Sequence, residues 1–252
     1  YIARRLLADG IRVKTLTGHP ERPNPFGAQV VAAPFNFDNL PTLIDELSGA
    51  STLYNTYWVR FSRGEVTFDR AVENTRTLIQ AAKDAGVGRI VHVSITNPSL
   101  NSSLPYFRGK AQVEEAIIDS GISYAIIRPT VIFGIEDILI NNIAWLLRRF
   151  PLFVVPGGGG YRFQPIFVED LAALAGDACG QEDNLILDAA GPETYTFDEF
   201  VRLVGQTMGS RTKIVHLPSA LALGISKIVG YFLGDVVLTR DEITGLMSDL
   251  LI

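Results

Sequence analysis

Residues 71–94 read AVENTRTLIQAAKDAGVGRIVHVS, and two periodicities meet inside them. Val72, Thr75, Ile79 and Ala82 recur every three or four residues, the spacing that sets side chains on one face of an α-helix. Gly86 follows the last of them, at the position where helices commonly close on a left-handed residue. The run GRIVHVS (88–94) is then too short for a helix and has no polar alternation. That is the pattern of a strand buried on both faces, which belongs to a parallel sheet. A helix feeding such a strand is half of a right-handed βαβ crossover.

The same alternation extends outward in both directions. Upstream, Ile2, Leu6 and Leu7 predict a helix stopping at Gly10, IRVKTLT (11–17) a strand, AQVVAAPF (28–35) a strand, NLPTLIDELSG (39–49) a helix and STLYNTYW (51–58) a strand. Downstream, a helix is predicted near 105–120 with Val113, Ala116 and Ile117 inward, followed by a buried strand, SYAIIRP (123–129). Beyond Phe133 the rhythm changes. INNIAWLLRRF (140–150) reads as a helix, Gly157–Gly160 as a loop, and QPIFVEDLAALAGDA (164–178) as a short strand and then a helix. NLILDAAG (184–191) reads as one more sheet strand, and TFDEFVRLVGQTM (196–208) as a helix opening on a capping pattern. The expected fold class is therefore α/β: a doubly wound parallel sheet over residues 1–135 and a small helix-rich lobe over 136–252, from which 163–191 returns to the sheet. Because a helix without a preceding strand opens the chain, the reading also expects the sheet's first strand to be missing from this sequence.

Composition narrows the function classes. The chain has 252 residues, 47% apolar and 19% charged, enough for one large domain or a domain with a lobe and too apolar for disorder. A net charge of −5 argues against a nucleic-acid partner, which would need a basic stripe to neutralise phosphates. The single cysteine, Cys179, cannot form an internal disulfide, which points to a reducing, cytoplasmic setting. The apolar stretch Ile214–Leu238 is cut by His216, Pro218, Lys227 and Asp235, so no integral membrane segment is expected. The histidines are too scattered for a metal site, His92 reads as a core residue, and a Gly-x-Ser-x-Gly nucleophile turn is absent.

Open parallel sheets bind ligands beyond the carboxyl ends of their strands. The residues there are Gly18 and His19, Asn36, Asn55, Thr56, Tyr57 and Trp58, Ser94 to Asn97, and Pro129, Thr130 and Val131. The sharpest signal is Tyr106-Phe-Arg-Gly-Lys110, a tyrosine and a lysine one helical turn apart on one face. An ammonium beside a phenol favours the phenolate, which turns a group of pKa about 10 into a usable general acid/base. A hydroxyl at Ser94 or Thr96 can hold a carbonyl or alcohol in line with it. The alternative for each is structural: an amphipathic tyrosine, a solvated lysine, rim packing.

Residues 71–94, Tyr106-x-x-x-Lys110, SYAIIRPTVIFG (123–134) and FQPIFVEDLA (163–172), in that order, resemble the short-chain dehydrogenase/reductase superfamily in its extended or atypical, NAD-dependent epimerase/dehydratase-like branch. The resemblance implies a Rossmann fold, NAD or NADP as cofactor and a small-molecule substrate, with a homodimer by analogy. It implies Tyr106 as acid/base, Lys110 on the nicotinamide ribose, Asn74 as the asparagine of the long helix, and Pro129, Thr130 and Val131 along the nicotinamide. Arg162 and Gln164 sit where such proteins touch substrate. The resemblance also extends to an electron-transport accessory branch that binds a nucleotide without turnover. Two departures stand out. The spaced glycines of the phosphate loop are absent, and Gly157–Gly160 does not replace them. The end of the second strand is Thr17-Gly18-His19 with Arg22 beyond, without the acid that binds the NAD ribose, which tilts the expectation toward NADP. In Ser94-Ile95-Thr96 an isoleucine interrupts the family's paired hydroxyls, so either hydroxyl remains a candidate.

Overall fold

A computed structural model describes residues 1–60, 62, 64–225, 244–245, 247 and 250–252. The chain divides into two units, Tyr1–Pro129 with Glu169–Asp188, and Thr130–Val168 with Ala189–Ile252.

The first unit runs α1 (Ile2–Ala8), β1 (Val13–Thr17), β2 (Val30–Pro34), α2 (Leu40–Leu47), β3 (Thr52–Asn55), α3 (Phe68–Asp84), β4 (Arg89–Val93), α4 (Pro105–Asp119) and β5 (Ser123–Pro129). The chain continues through β6 (Ile132–Phe133), α5 (Leu139–Arg149), β7 (Leu152–Pro156), β8 (Arg162–Phe163) and β9 (Ile166–Phe167) of the second unit. It then passes through α6 (Val168–Asp177) and β10 (Leu185–Ala189) before β11 (Tyr195–Thr196), α7 (Phe197–Thr207) and β12 (Lys213–Leu217).

The central sheet has the order β10-β5-β4-β3, with β4 parallel to both β3 and β5. β1 and β2 form a separate parallel pair. This is the α/β, parallel-sheet architecture the alternation predicts. The reasons are local. Val72, Thr75, Ile79 and Ala82 of α3 are all buried, and the Thr75 hydroxyl is satisfied at the Ala71 carbonyl, 2.7 Å away. Val72, Ile79 and Ala82 pack with Leu43, Ile90, Val113, Ile117 and Ile126 in one core. Thr67 caps α3 through the Arg70 N–H at 3.1 Å, and Asn39 caps α2. Buried Arg89 fastens β4 to the returning segment, donating from Nε to the Ala178 carbonyl (2.9 Å) and from Nη2 to that of Asp183 (3.0 Å).

β3 ends at Asn55, three residues short of the expected Trp58. The Asn55 Oδ1 accepts the Tyr57 N–H at 3.1 Å, an Asx turn that breaks the ladder and turns Thr56–Trp58 out of the sheet.

The second unit has its own core of Ile143, Leu147, Phe153, Val155, Phe163, Phe197, Phe200 and Val201. Short strand pairs accompany α5 and α7: β6 with β9, β7 with β12, and β8 with β11. Thr196 and Glu199 form the capping box expected at the start of α7. Among the described residues no helix is long and apolar enough to cross a membrane, and no cluster of metal-ligating side chains occurs.

Candidate functional site

At the carboxyl ends of the sheet, β4 and β5 run on together: the Ser94 N–H donates to the Ile127 carbonyl (2.7 Å) and the Thr96 N–H to the Pro129 carbonyl (2.9 Å). Asn97 then takes a left-handed conformation (φ 52°) and the chain turns toward α4, which opens on Pro105. Tyr106 lies in the first turn of that helix and Lys110 in the next. The Lys110 side chain is buried, with Nζ donating to the Val93 carbonyl at 3.0 Å and lying 4.8 Å from the centroid of the Trp58 ring. Trp58 stacks on Phe68 at 6.1 Å, and Tyr106 meets both rings edge-on at 5.9 and 5.7 Å. Gly109 makes this possible, since a Cβ there would stand 2.9 Å from Trp58 Cη2.

Burial pushes the Lys110 pKa down to about 7, opposed by the attraction of Glu114. Glu114 is itself buried and its charge is shared elsewhere. It accepts from Arg128 through Nε at 3.1 and 3.2 Å and through Nη2 at 2.5 Å, and from the Ser94 hydroxyl. The two hydroxyls left open by the sequence thus differ: that of Ser94 is committed to Glu114, while Thr96 is buried beside Pro129. His92 is fully buried, and its Nδ1 lies 3.1 Å from the Asn55 carbonyl. A carbonyl only accepts, so Nδ1 carries the proton. Burial first, and then the charge of Lys110, holds His92 well below the usual histidine range and therefore neutral. Asn55 Nδ2, His92 Nε2 and Trp58 Nε1 are buried polar atoms with no hydrogen-bond partner among the described residues. Such atoms are rare in folded proteins, where buried polar groups pair with protein or ordered water.

A second group forms around Tyr57. Its hydroxyl accepts from Asn74 Nδ2 at 2.8 Å, and its ring packs on Phe35 and Phe37 at 5.1 and 5.0 Å. Asn36 sits between those two phenylalanines at φ 46°, and Thr56 is exposed next to Tyr57. Asn36, Tyr57 and Asn74 are thus brought together. Gly18 and His19 follow β1, whose Thr17 pairs with Pro34 of β2 just before Phe35 and Asn36; both are exposed, with His19 Nδ1 3.7 Å from Glu21 Oε1. Thr130 and Val131 belong to the second unit. There the Thr130 hydroxyl bonds the Gln164 carbonyl, and the Val131 carbonyl accepts from the Ile166 N–H at 2.9 Å. Arg162 is exposed on β8, and Gln164 Oε1 accepts from the Ile252 N–H at 3.1 Å. Sequence reasoning missed Glu114 and Arg128. The available signals were a glutamate one turn after Lys110 and a lone arginine closing an otherwise apolar strand.

Comparisons with known proteins bear on the family and the fold. A subunit named NADH dehydrogenase [ubiquinone] 1 alpha subcomplex subunit 9, mitochondrial, from Arabidopsis thaliana is 23% identical over 237 residues, covering 89% of this chain and 59% of its own. The Mus musculus protein of the same name is 33% identical over 184 residues, covering 69% and 47%. The chain thus spans about half the length of the curated relatives it matches. Among solved structures, a nucleoside-diphosphate-sugar epimerase from Staphylococcus aureus superposes with a TM-score of 0.73 at 17% identity, covering 98% of this chain and 86% of that one. A dTDP-glucose 4,6-dehydratase from Streptomyces venezuelae, solved with NAD, gives 0.71 at 20% identity, covering 86% and 80%. These likenesses show a shared Rossmann-type fold. The family described as NAD(P)H-binding matches residues 1–135, more than half of the 252, and the chain belongs to it.

Proposed function

We propose that this chain is an NAD(P)-dependent oxidoreductase or epimerase-type enzyme in which Tyr106 moves the proton and Lys110 fixes the ribose and the charge beside it. The observation that carries the reading is the buried Lys110 ammonium at the strand ends, one turn after Tyr106 and without a carboxylate of its own. Glu114 is already held by Arg128 and Ser94. A buried cation whose neighbouring carboxylate is held by other groups is costly, and a polar ligand at that place offsets the cost. The orphaned Asn55 Nδ2 and Trp58 Nε1 fit a dinucleotide's polar groups in the same way. Asn36, Asn55, Tyr57, Asn74, Lys110 and Pro129 would hold it. A bound nicotinamide dinucleotide supplies the redox chemistry; the protein supplies alignment and the proton. In this reading the Thr96 hydroxyl and the Tyr106 phenol face the substrate oxygen. At the end of β1 the absence of an acid supports NADP over NAD.

In the complete protein, Tyr106→Phe should lower turnover by about 10²–10⁴-fold, the usual worth of a positioned acid/base, while dinucleotide affinity stays within about threefold. Unchanged turnover would remove Tyr106 from the mechanism. A second reading, a non-catalytic NAD(P)-binding accessory subunit, is favoured by two observations: Ser94 is spent on Glu114, and Trp58 lies over Lys110. It expects dinucleotide binding with no substrate-dependent change in nicotinamide absorbance. Turnover on any member of a panel of nucleotide sugars or ketones eliminates it.

A further inference from the structure

The second unit carries a surface that dinucleotide chemistry leaves unused. α5 places Trp145, Arg148 and Arg149 on its last turns, and the chain runs on through Phe150 and Pro151 into β7 at Leu152. Trp145 and Phe150 meet edge to face at 5.8 Å, with the Arg149 guanidinium 6.0 Å from the Trp145 ring. Residues 147–151 and the turn 208–212 after α7 line a groove of about 510 Å³ that includes Arg148, Arg149 and Arg211. The Thr212 hydroxyl, 2.8 Å from the Leu147 carbonyl, ties the two walls. Lys213 pairs with Leu152 in the β7–β12 ladder and extends the same face.

Charge and polarity on this face are one-sided. No Asp or Glu occurs between Asp137 and Glu169 or between Glu199 and Asp235, in a chain whose net charge is −5. Among the described residues none of Arg148, Arg149, Arg211 and Lys213 forms an ion pair. Trp145 and Phe150 are each 37% exposed and Leu152 is 53% exposed, so the cations surround apolar tips. No groove residue carries a carboxylate or amide that would set the register of a folded partner, and the Ser210 and Thr212 hydroxyls are spent on the Leu147 carbonyl. Guanidiniums on long stems around an amphipathic indole suit the level of lipid headgroups, where the rings enter and the charges reach phosphate.

We infer that this face docks on an anionic lipid surface, with Trp145, Phe150 and Leu152 entering the headgroup region and Arg148, Arg149, Arg211 and Lys213 contacting phosphates. The docking is independent of the dinucleotide reading. The test is sedimentation of the full chain with phosphatidylcholine vesicles and with vesicles in which about a third of the lipid is phosphatidylglycerol. Partition onto the anionic vesicles should exceed that onto the neutral ones by about tenfold or more, and Trp145 emission should shift to the blue. Each basic residue near such a surface is worth about fivefold, so Arg148→Glu with Arg211→Glu should cut anionic partition by about tenfold or more. Arg76→Glu, an exposed charge reversal on α3, should leave it unchanged, and Trp145→Ala should abolish the blue shift. Equal partition onto both vesicles, or a double variant that binds like the parent, overturns the proposal. So does a lipid-free dimer in sedimentation velocity that the double variant dissolves, which would give the face to a second copy.

Discussion

Lys110 shows how one buried side chain couples the site to stability. Its pKa is held down to about 7 against an ordinary 10.5, because desolvation outweighs the pull of Glu114. Below about pH 7 both folded and unfolded chains carry this charge, and the folded state bears the whole desolvation cost. Between about pH 7 and 10.5 the unfolded chain binds more protons, so stability rises with pH across that window. Lys110→Met, which removes the cost, should melt above the parent near pH 6, and the gap should narrow toward about pH 10. Melts followed by circular dichroism decide this, and a gap that does not move with pH would mean that the charge is not its cause. Gly109 is constrained from the opposite side. A Cβ there meets Trp58 at 2.9 and 3.2 Å and Val72 Cγ2 at 3.4 Å. Overpacking of this kind costs about 1–3 kcal/mol, against about 1 kcal/mol gained from alanine's helix propensity. Gly109→Ala should therefore lower stability and alter the near-ultraviolet tryptophan signal, and Trp58→Leu in the same chain should restore the loss.

At the scale of elements, Glu114 joins three of them. From α4 it holds Ser94 beyond the end of β4 and Arg128 on β5, which sets the azimuth of the helix that carries Tyr106 and Lys110. Glu114→Gln removes the charge and leaves Arg128 with only the weaker attraction of Asp188. Breaking a fully buried pair costs about 3–5 kcal/mol, but the Arg128 side chain keeps 28% of its exposure, so a loss below that range is expected in chemical denaturation. Glu114→Ala should lose at least as much. A loss below about 0.5 kcal/mol in both would show that packing alone orients α4. The strands of the second unit follow another logic: β7 and β12 pair across a long separation in sequence, and neither has a strong pattern of its own.

On the scale of the whole molecule, the described residues form two cores that share no residue, one under the parallel sheet and one around Phe163 and Phe200. Gly191 is critical to the second. A Cβ there would lie 1.9 Å from the Pro165 carbonyl oxygen, a contact that backbone must move to relieve. Gly191→Ala should destabilise the second unit by more than about 3 kcal/mol, the range reached when a packed site cannot adjust. Limited proteolysis read by mass spectrometry should then place early cuts within Thr130–Val168 and beyond Ala189, with Tyr1–Pro129 persisting. Cuts distributed equally over both units would show that they unfold as one.

The sequence by itself determined the parallel sheet of the first unit, because helix and strand periods are local properties that survive without any partner. The α3–β4 passage, the cap at Thr196, and the Tyr106–Lys110 spacing were all legible for that reason. Tertiary structure decided what those periods do not encode. It gave the Ser94 hydroxyl to Glu114, laid Trp58 over Lys110, ended β3 at Asn55 and paired β7 with β12. Each of these depends on which distant side chain arrives at a given point in space. The sign and size of a charge's burial cost follow from that arrival, not from its neighbours along the chain.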